Sequence, residues 1–140
     1  MRFDVTTDRD RMDFGSIYGF LNGESYWAGG IPQYLFHRAM DNSLCFAGLL
    51  GGETVAFARV ISDYATFANL VDVFVAPDYR GNGYATGLMD AIIAHPKLQG
   101  LRRFMLATRD AHGLYARYGF HAPLFPDTLM ERYDPEVYRR

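Results

Sequence analysis

At 140 residues the chain is expected to be one domain, long enough to bury a real core without staples. Its 49% hydrophobic and 16% aromatic content excludes disorder, and a net charge of −2 argues against a general nucleic-acid binder. The single cysteine, Cys45, excludes an intrachain disulfide and, inside an apolar run, reads as core.

Residues 3–5 read as a short first strand. Asp13 is a plausible N-cap for a helix carrying Phe14, Ile17, Tyr18 and Leu21 at helical spacing, broken by Asn22-Gly23-Glu24-Ser25. An apolar, glycine-containing connection, 26–31, leads to Pro32, which opens a second helix with Leu35, Phe36, Ala39 and Met40 on one face. Residues 44–50 read as a strand, Gly51-Gly52 as a hairpin turn, and 54–61 as the partner strand. A third long strand, 67–75, follows after a short turn, so this meander should be antiparallel. A glycine loop then opens a helix with Leu88, Met89, Ile92 and Ile93 on one side, stopped at His95-Pro96. The continuous apolar run 104–107 predicts a strand buried on both faces, parallel to 67–75 because a helix intervenes. A last helix is expected over 110–118, closed by Gly119, with Phe120 opening a segment that pairs with a final strand over 128–133. The order predicts an α+β fold. Its sheet is mixed and mostly antiparallel, with one parallel pair, flanked by helices.

The most informative stretch is Val73-Phe74-Val75-Ala76-Pro77-Asp78-Tyr79-Arg80-Gly81-Asn82-Gly83-Tyr84-Ala85. It reads as strand, tight turn and helix N-terminus. Unpaired N–H groups converge there and the helix dipole adds positive charge, which suits a phosphate or pyrophosphate. No Gly-Lys-Ser/Thr ending makes it a Walker A loop, and a third glycine falls one residue late for the dinucleotide pattern. The run Arg80-Gly81-Asn82-Gly83-Tyr84-Ala85 instead fits R-x-x-G-x-A. It resembles the acetyl-CoA pyrophosphate loop of the GNAT family of N-acetyltransferases. Downstream, Leu114-Tyr115-Ala116-Arg117-Tyr118-Gly119-Phe120 is similar to a second segment of that family, and one predicted strand separates the two.

The resemblance implies the GNAT fold over a single domain, 1–140, with acetyl-CoA bound where two parallel strands splay. The backbone of Val73, Phe74 and Val75 would meet pantetheine. Arg80, Gly81, Asn82, Gly83, Tyr84, Ala85 and Thr86 would cradle the diphosphate. Thr108, where relatives often carry asparagine, would also touch the cofactor. Tyr115 would be the general acid to the departing thiolate, with Tyr118 its rival. Several relatives place a glutamate two residues ahead of the position matched by Val73; here it is Val71, so the base is unassigned. Asp72 should point to the opposite face of a regular strand. Asp63 and Glu53 read first as solvated or capping carboxylates. Tyr26 and Trp27, in the connection between the first helices, are candidates for the acceptor site, Trp27 as a mobile aromatic wall.

The expected activity is transfer of acetyl from acetyl-CoA to a primary amine of a small molecule or peptide. The alternatives are an acyl-CoA binding or sensing module with little turnover, or a nucleotide-phosphate binder sharing only the loop. No His/Cys/Asp/Glu spacing suggests a metal. No run approaches the ~20 apolar residues that cross a bilayer, and no signal-like stretch opens the sequence, so no membrane partner and a cytoplasmic location are expected. The protein should be a monomer or homodimer with no nucleic-acid partner.

Overall fold

The computed structural model describes residues 1–139. Strands β1 (Phe3–Thr6), β2 (Leu44–Leu50), β3 (Glu53–Ser62), β4 (Phe67–Val75) and β5 (Arg103–Leu106) form one sheet in chain order. β1 to β4 pair antiparallel, and β5 joins β4 parallel after a crossover through α3 (Tyr84–Ala94). Helices α1 (Phe14–Gly23) and α2 (Gln33–Asp41) cover one face. The other face carries α3 and the short α4 (His112–Ala116). This is the mixed α+β arrangement the element order predicts.

Period-two alternation divides the core between the two faces. Phe57 of β3 joins Ile17, Leu21, Phe36 and Met40 beneath α1 and α2. Its neighbours Ala56, Ala58 and Val60 face Leu88, Met89 and Ile92 of α3. Phe74 stacks on Phe20 at 4.0 Å between centroids, a contact worth about 1 kcal/mol beyond its area. Asp13 caps α1 as expected, its carboxylate accepting from Ser16 N–H at 3.1 Å. Cys45 is buried, and burial pushes its thiol pKa up.

One close approach fixes where α3 sits. The Phe3 ring lies across Gly48 of β2 and Gly87 of α3 and stacks on Tyr84 at 4.1 Å. A Cβ at Gly48 would stand 2.6 Å from Phe3, and one at Gly87 would stand 2.7 Å from it. Two missing side chains therefore let the first turn of α3 press onto the sheet, level with β1.

The chain departs from expectation in four places. β5 covers 103–106 and is only half-buried. It is the outer strand, and no further strand among the described residues closes that edge. The last helix shrinks to His112–Ala116, because the Thr108 hydroxyl takes the Ala111 N–H and holds 108–111 as a turn. The final strand over 128–133 does not form. Pro123 and Pro126 lack N–H donors, and Pro126–Thr128 is a 3-10 turn. Ile93, in the last turn of α3, faces outward. Among the described residues no helix is long and apolar enough to cross a membrane.

Candidate functional site

β4 outruns β5, and the site begins where they part. Phe67 to Leu70 pair with Arg103 to Leu106, and beyond Leu70 the strand keeps only β3 as neighbour. On the β3 side a bulge intervenes. Phe57 pairs with Phe74 and Arg59 with Val71, so Asp72 and Val73 both stand against Ala58. Asp72 adopts φ +57°, a left-handed conformation that aspartate tolerates better than most residues.

The bulge overturns one expectation. In a regular strand Asp72 would face away from Val71; here both line the same pocket of about 220 Å³ between α1, α2 and β4. The Asp72 carboxylate accepts from Arg59 Nε at 2.8 Å and from Trp27 Nε1 at 2.7 Å. The pair is well covered, its side chains 14% and 8% exposed, and Arg59 also donates to the Ser43 hydroxyl at 2.9 Å. Both oxygens of this carboxylate are thus taken by the protein's own donors.

Beyond the bulge the strand is regular. Ala76 N–H donates to Val55 O at 2.8 Å, which makes Ala56–Val75 the non-hydrogen-bonded kind of pair. Val75 N–H and C=O therefore face away from β3, into the opening left by β5. Arg80 Nε donates to that carbonyl at 3.0 Å and fastens the loop to the end of β4.

The loop is held from inside. The Asn82 side-chain amide donates to Tyr79 O at 3.0 Å and Arg80 O at 3.3 Å. Gly81 and Gly83 have φ of +81° and +78°, and nothing lies within 4 Å of where their Cβ would be. Among the described residues, no acceptor takes the N–H of Gly81, Asn82 or Gly83, and α3 has no side-chain N-cap. The first N–H groups of α3, at Tyr84, Ala85 and Thr86, are likewise free. A run of unpaired amides thus opens to solvent at a helix N-terminus, an arrangement suited to an anion.

Tyr115 enters from the far side of the opening. Its ring packs among Leu70, Leu88 and Phe120, and only 8% of the residue is exposed. Burial, with smaller contributions from Tyr26 and Asp110, raises the phenol above its ordinary value near 10. Tyr26 belongs to the α1–α2 connection. Among the described residues the Tyr115 hydroxyl makes no hydrogen bond. Tyr118 is committed elsewhere: its hydroxyl donates to Asp90 at 2.7 Å, the first cause of its raised pKa, and lies 3.2 Å from Thr86 O.

Over the opening stand Tyr26 and Trp27, ring to ring at 4.9 Å. The Arg109 guanidinium lies 3.6 Å from the Tyr26 ring centroid and ties this wall to the segment after β5. Trp27 is 39% exposed and is held by its bond to Asp72. Thr108 caps the turn into α4, as described. Asp63 caps its own turn, accepting from the Ala65, Thr66 and Phe67 N–H groups, which hold its pKa well below the carboxylate range. It sits at the opposite end of β4 from the opening.

Sequence reasoning missed Arg59, Arg109 and Tyr138, the last packed from the C-terminal segment into the wall of the 220 Å³ pocket. A signal for the first existed: apart from Glu53 at the start of β3, Arg59 and Asp72 are the only charged residues in these two apolar strands.

Residues 14–120 match the family model described as Acetyltransferase (GNAT) family. The chain belongs to the GNAT acetyltransferase family. A GNAT-family protein from Xanthomonas campestris pv. campestris, known from its crystal structure, is 60% identical, with a TM-score of 0.96 over 100% of this chain and 99% of that one. A Gibberella zeae protein named "Putative acetyltransferase FG08082" is 29% identical over 81% of this chain and 75% of its own. A Clostridium acetobutylicum structure containing acetyl-CoA shares the fold, with a TM-score of 0.64 at 16% identity over 94% of this chain and 95% of that one.

Proposed function

We propose that this GNAT domain transfers an acetyl group from acetyl-CoA to a primary amine by direct attack. The observation that carries the reading is the parting of β4 from β5 beyond Leu70, with an unpaired amide run at one end and the unbonded Tyr115 phenol at the other. The thioester supplies the activated acetyl group, and the chain's residues do the rest. The amides of Gly81 to Thr86 and the Arg80 guanidinium hold the diphosphate. The stretch of β4 from Val73 to Val75, with the Val75 N–H turned into the opening, aligns the pantetheine arm, and Thr108 stands beside it. Tyr26 and Trp27 wall the acceptor side.

As the new C–N bond forms, the C–S bond breaks and the Tyr115 hydroxyl gives its proton to the departing sulfur. The raised pKa keeps the phenol protonated at working pH. Asp72 is occupied by Arg59 and Trp27, so the amine arrives neutral, and the proton its nitrogen sheds as the amide forms leaves through water, which in turn reprotonates the Tyr115 phenolate.

That missing base favours a second reading, an acyl-CoA sensor with little turnover. Titration with acetyl-CoA, CoA and ATP, followed by thiol release over an amine panel, separates the two. Transfer requires acetyl-CoA to raise Tm strongly and some amine to accelerate thiol release; saturating ligand at a hundred times Kd adds about 2.7 kcal/mol. Binding without amine-dependent release leaves the sensor. Stabilisation by ATP and not by CoA defeats both.

A further inference from the structure

We propose that the acceptor is an arylalkylamine, a molecule with one amine on a short carbon arm and one aromatic ring, and that its ring occupies the 220 Å³ pocket between α1, α2 and β4. The inference rests on the transfer reading above and names its substrate class.

Position comes first. Val71 and Asp72 line the pocket and follow directly on Leu70, the last residue of β4 that pairs with β5. The pocket therefore adjoins the opening at the point where the strands part. An amine on a short arm reaches that opening while the rest of the molecule stays in the pocket.

Size and lining set the body. Leu21, Ala28, Ile31, Phe36, Ala39 and Met40 form the apolar wall. An apolar cavity of ~150 Å³ holds one benzene ring. The balance, ~70 Å³, is a little over twice a water's share of liquid volume and admits an arm of one or two carbons. Trp27 is the one exposed residue of the lining, and its bond to Asp72 at 2.7 Å fixes the indole at the mouth. With Phe36 and Tyr138 it puts aromatic rings around the space, which favours an aromatic guest over an aliphatic one of equal size.

Charge sets the rest. Among the described residues Arg59 and Asp72 are the only charged members of the lining, and they cancel. Asp72 already accepts from both Arg59 and Trp27, so a second ammonium on the acceptor finds no open carboxylate. Arg59 commits Nε to Asp72 and Nη1 to Ser43, so an α-carboxylate meets a cation already balanced. Either charge would lose its water against apolar side chains and gain no new partner. Diamines, polyamines and free amino acids are therefore poor acceptors. The transfer itself is as above: the amine nitrogen bonds the acetyl carbon, the C–S bond breaks, and the products are an N-acetyl arylalkylamine and the free thiol.

Trp27 is the only tryptophan of the chain, so its emission reports the pocket directly. With CoA present, 2-phenylethylamine should change that emission saturably, at concentrations roughly tenfold below propylamine or putrescine, since burying a large apolar group is worth about that factor or more. Thiol release from acetyl-CoA should follow the same order, with kcat/KM for 2-phenylethylamine roughly tenfold or more above propylamine, putrescine and phenylalanine. Ala39→Phe fills the pocket from α2 and should cut the preference for 2-phenylethylamine over propylamine to within about threefold while KM for acetyl-CoA stays. Ala39→Leu serves if that variant does not fold, and if neither folds the two orders in the unaltered protein decide. A saturable emission change without thiol release from any amine removes the transfer reading and keeps the arylalkylamine as the pocket's ligand. Release with putrescine or phenylalanine ahead, or a preference untouched by filling the pocket, overturns the inference and leaves transfer standing. An emission indifferent to 2-phenylethylamine overturns it outright.

Discussion

Replacing Asp72 by Asn removes one charge from the site and almost nothing else. Asn matches the side chain's size and tolerates the left-handed backbone at φ +57°. It cannot both accept from Trp27 and neutralise Arg59. At an effective dielectric near 20, two charges about 4 Å apart attract by about 4 kcal/mol. Breaking a buried pair by removing one partner costs ~3–5 kcal/mol. Here the loss should fall at or just below that range, at ~2–3 kcal/mol, because Arg59 keeps the Ser43 hydroxyl and remains 14% exposed. With an unfolding entropy of about 2.1 cal/mol/K per residue, a chain of this length loses roughly 7–10 °C in Tm. Thermal melts followed by circular dichroism measure it. Adding Arg59→Met should recover most of the loss, since the orphaned cation goes with it. A drop under about 2 °C, or a double variant less stable than the single, refutes the reasoning that the cost comes from leaving Arg59 without its partner.

Tyr115→Phe should lower kcat by roughly 10² or more with KM for acetyl-CoA nearly kept, and a rate within threefold would remove Tyr115 as the acid. Gly83→Val places a branched side chain at φ +78° in the mouth of the amide run, so acetyl-CoA binding by calorimetry should vanish while the melt stays cooperative. Gly48→Ala should cost ~1–3 kcal/mol in urea unfolding, because its Cβ meets the Phe3 ring and Ala56. The folded-state pKa values of Tyr115 and Tyr118 are raised above 10, so the stability they contribute is complete below pH 10 and is lost as pH climbs through the folded values. Tm against pH should fall more gently above pH 10 in Tyr118→Phe; identical slopes would contradict the Asp90 bond.

The elements legible in the sequence were those whose period and punctuation agree. β2 and β4 fall on their predicted residues, because each apolar run is closed by a turn signal at both ends. The Gly81 and Gly83 loop was legible because only glycine enters φ near +80° so readily. The bulge at Asp72 was not, since it depends on a partner strand and on Arg59, thirteen residues away. The predicted strand over 128–133 has the right composition, but among the described residues no strand pairs with it. Half-burial of β5 has the same origin: an apolar run reports what a strand prefers, and only the assembled sheet decides what covers it.

Tyr118 has a mechanical consequence. Its phenol spans from α4 to Asp90 and Thr86 on α3. Three residues upstream is Tyr115, and two residues before Thr86 α3 begins at the glycine turn. In the proposed reaction, one hydroxyl would then work as a spacer bar between the two ends of the path, setting how far Tyr115 sits from the anchored tail of the donor molecule. Acyl carriers whose reach between diphosphate and sulfur differs from that fixed gauge would seat correctly and still react poorly.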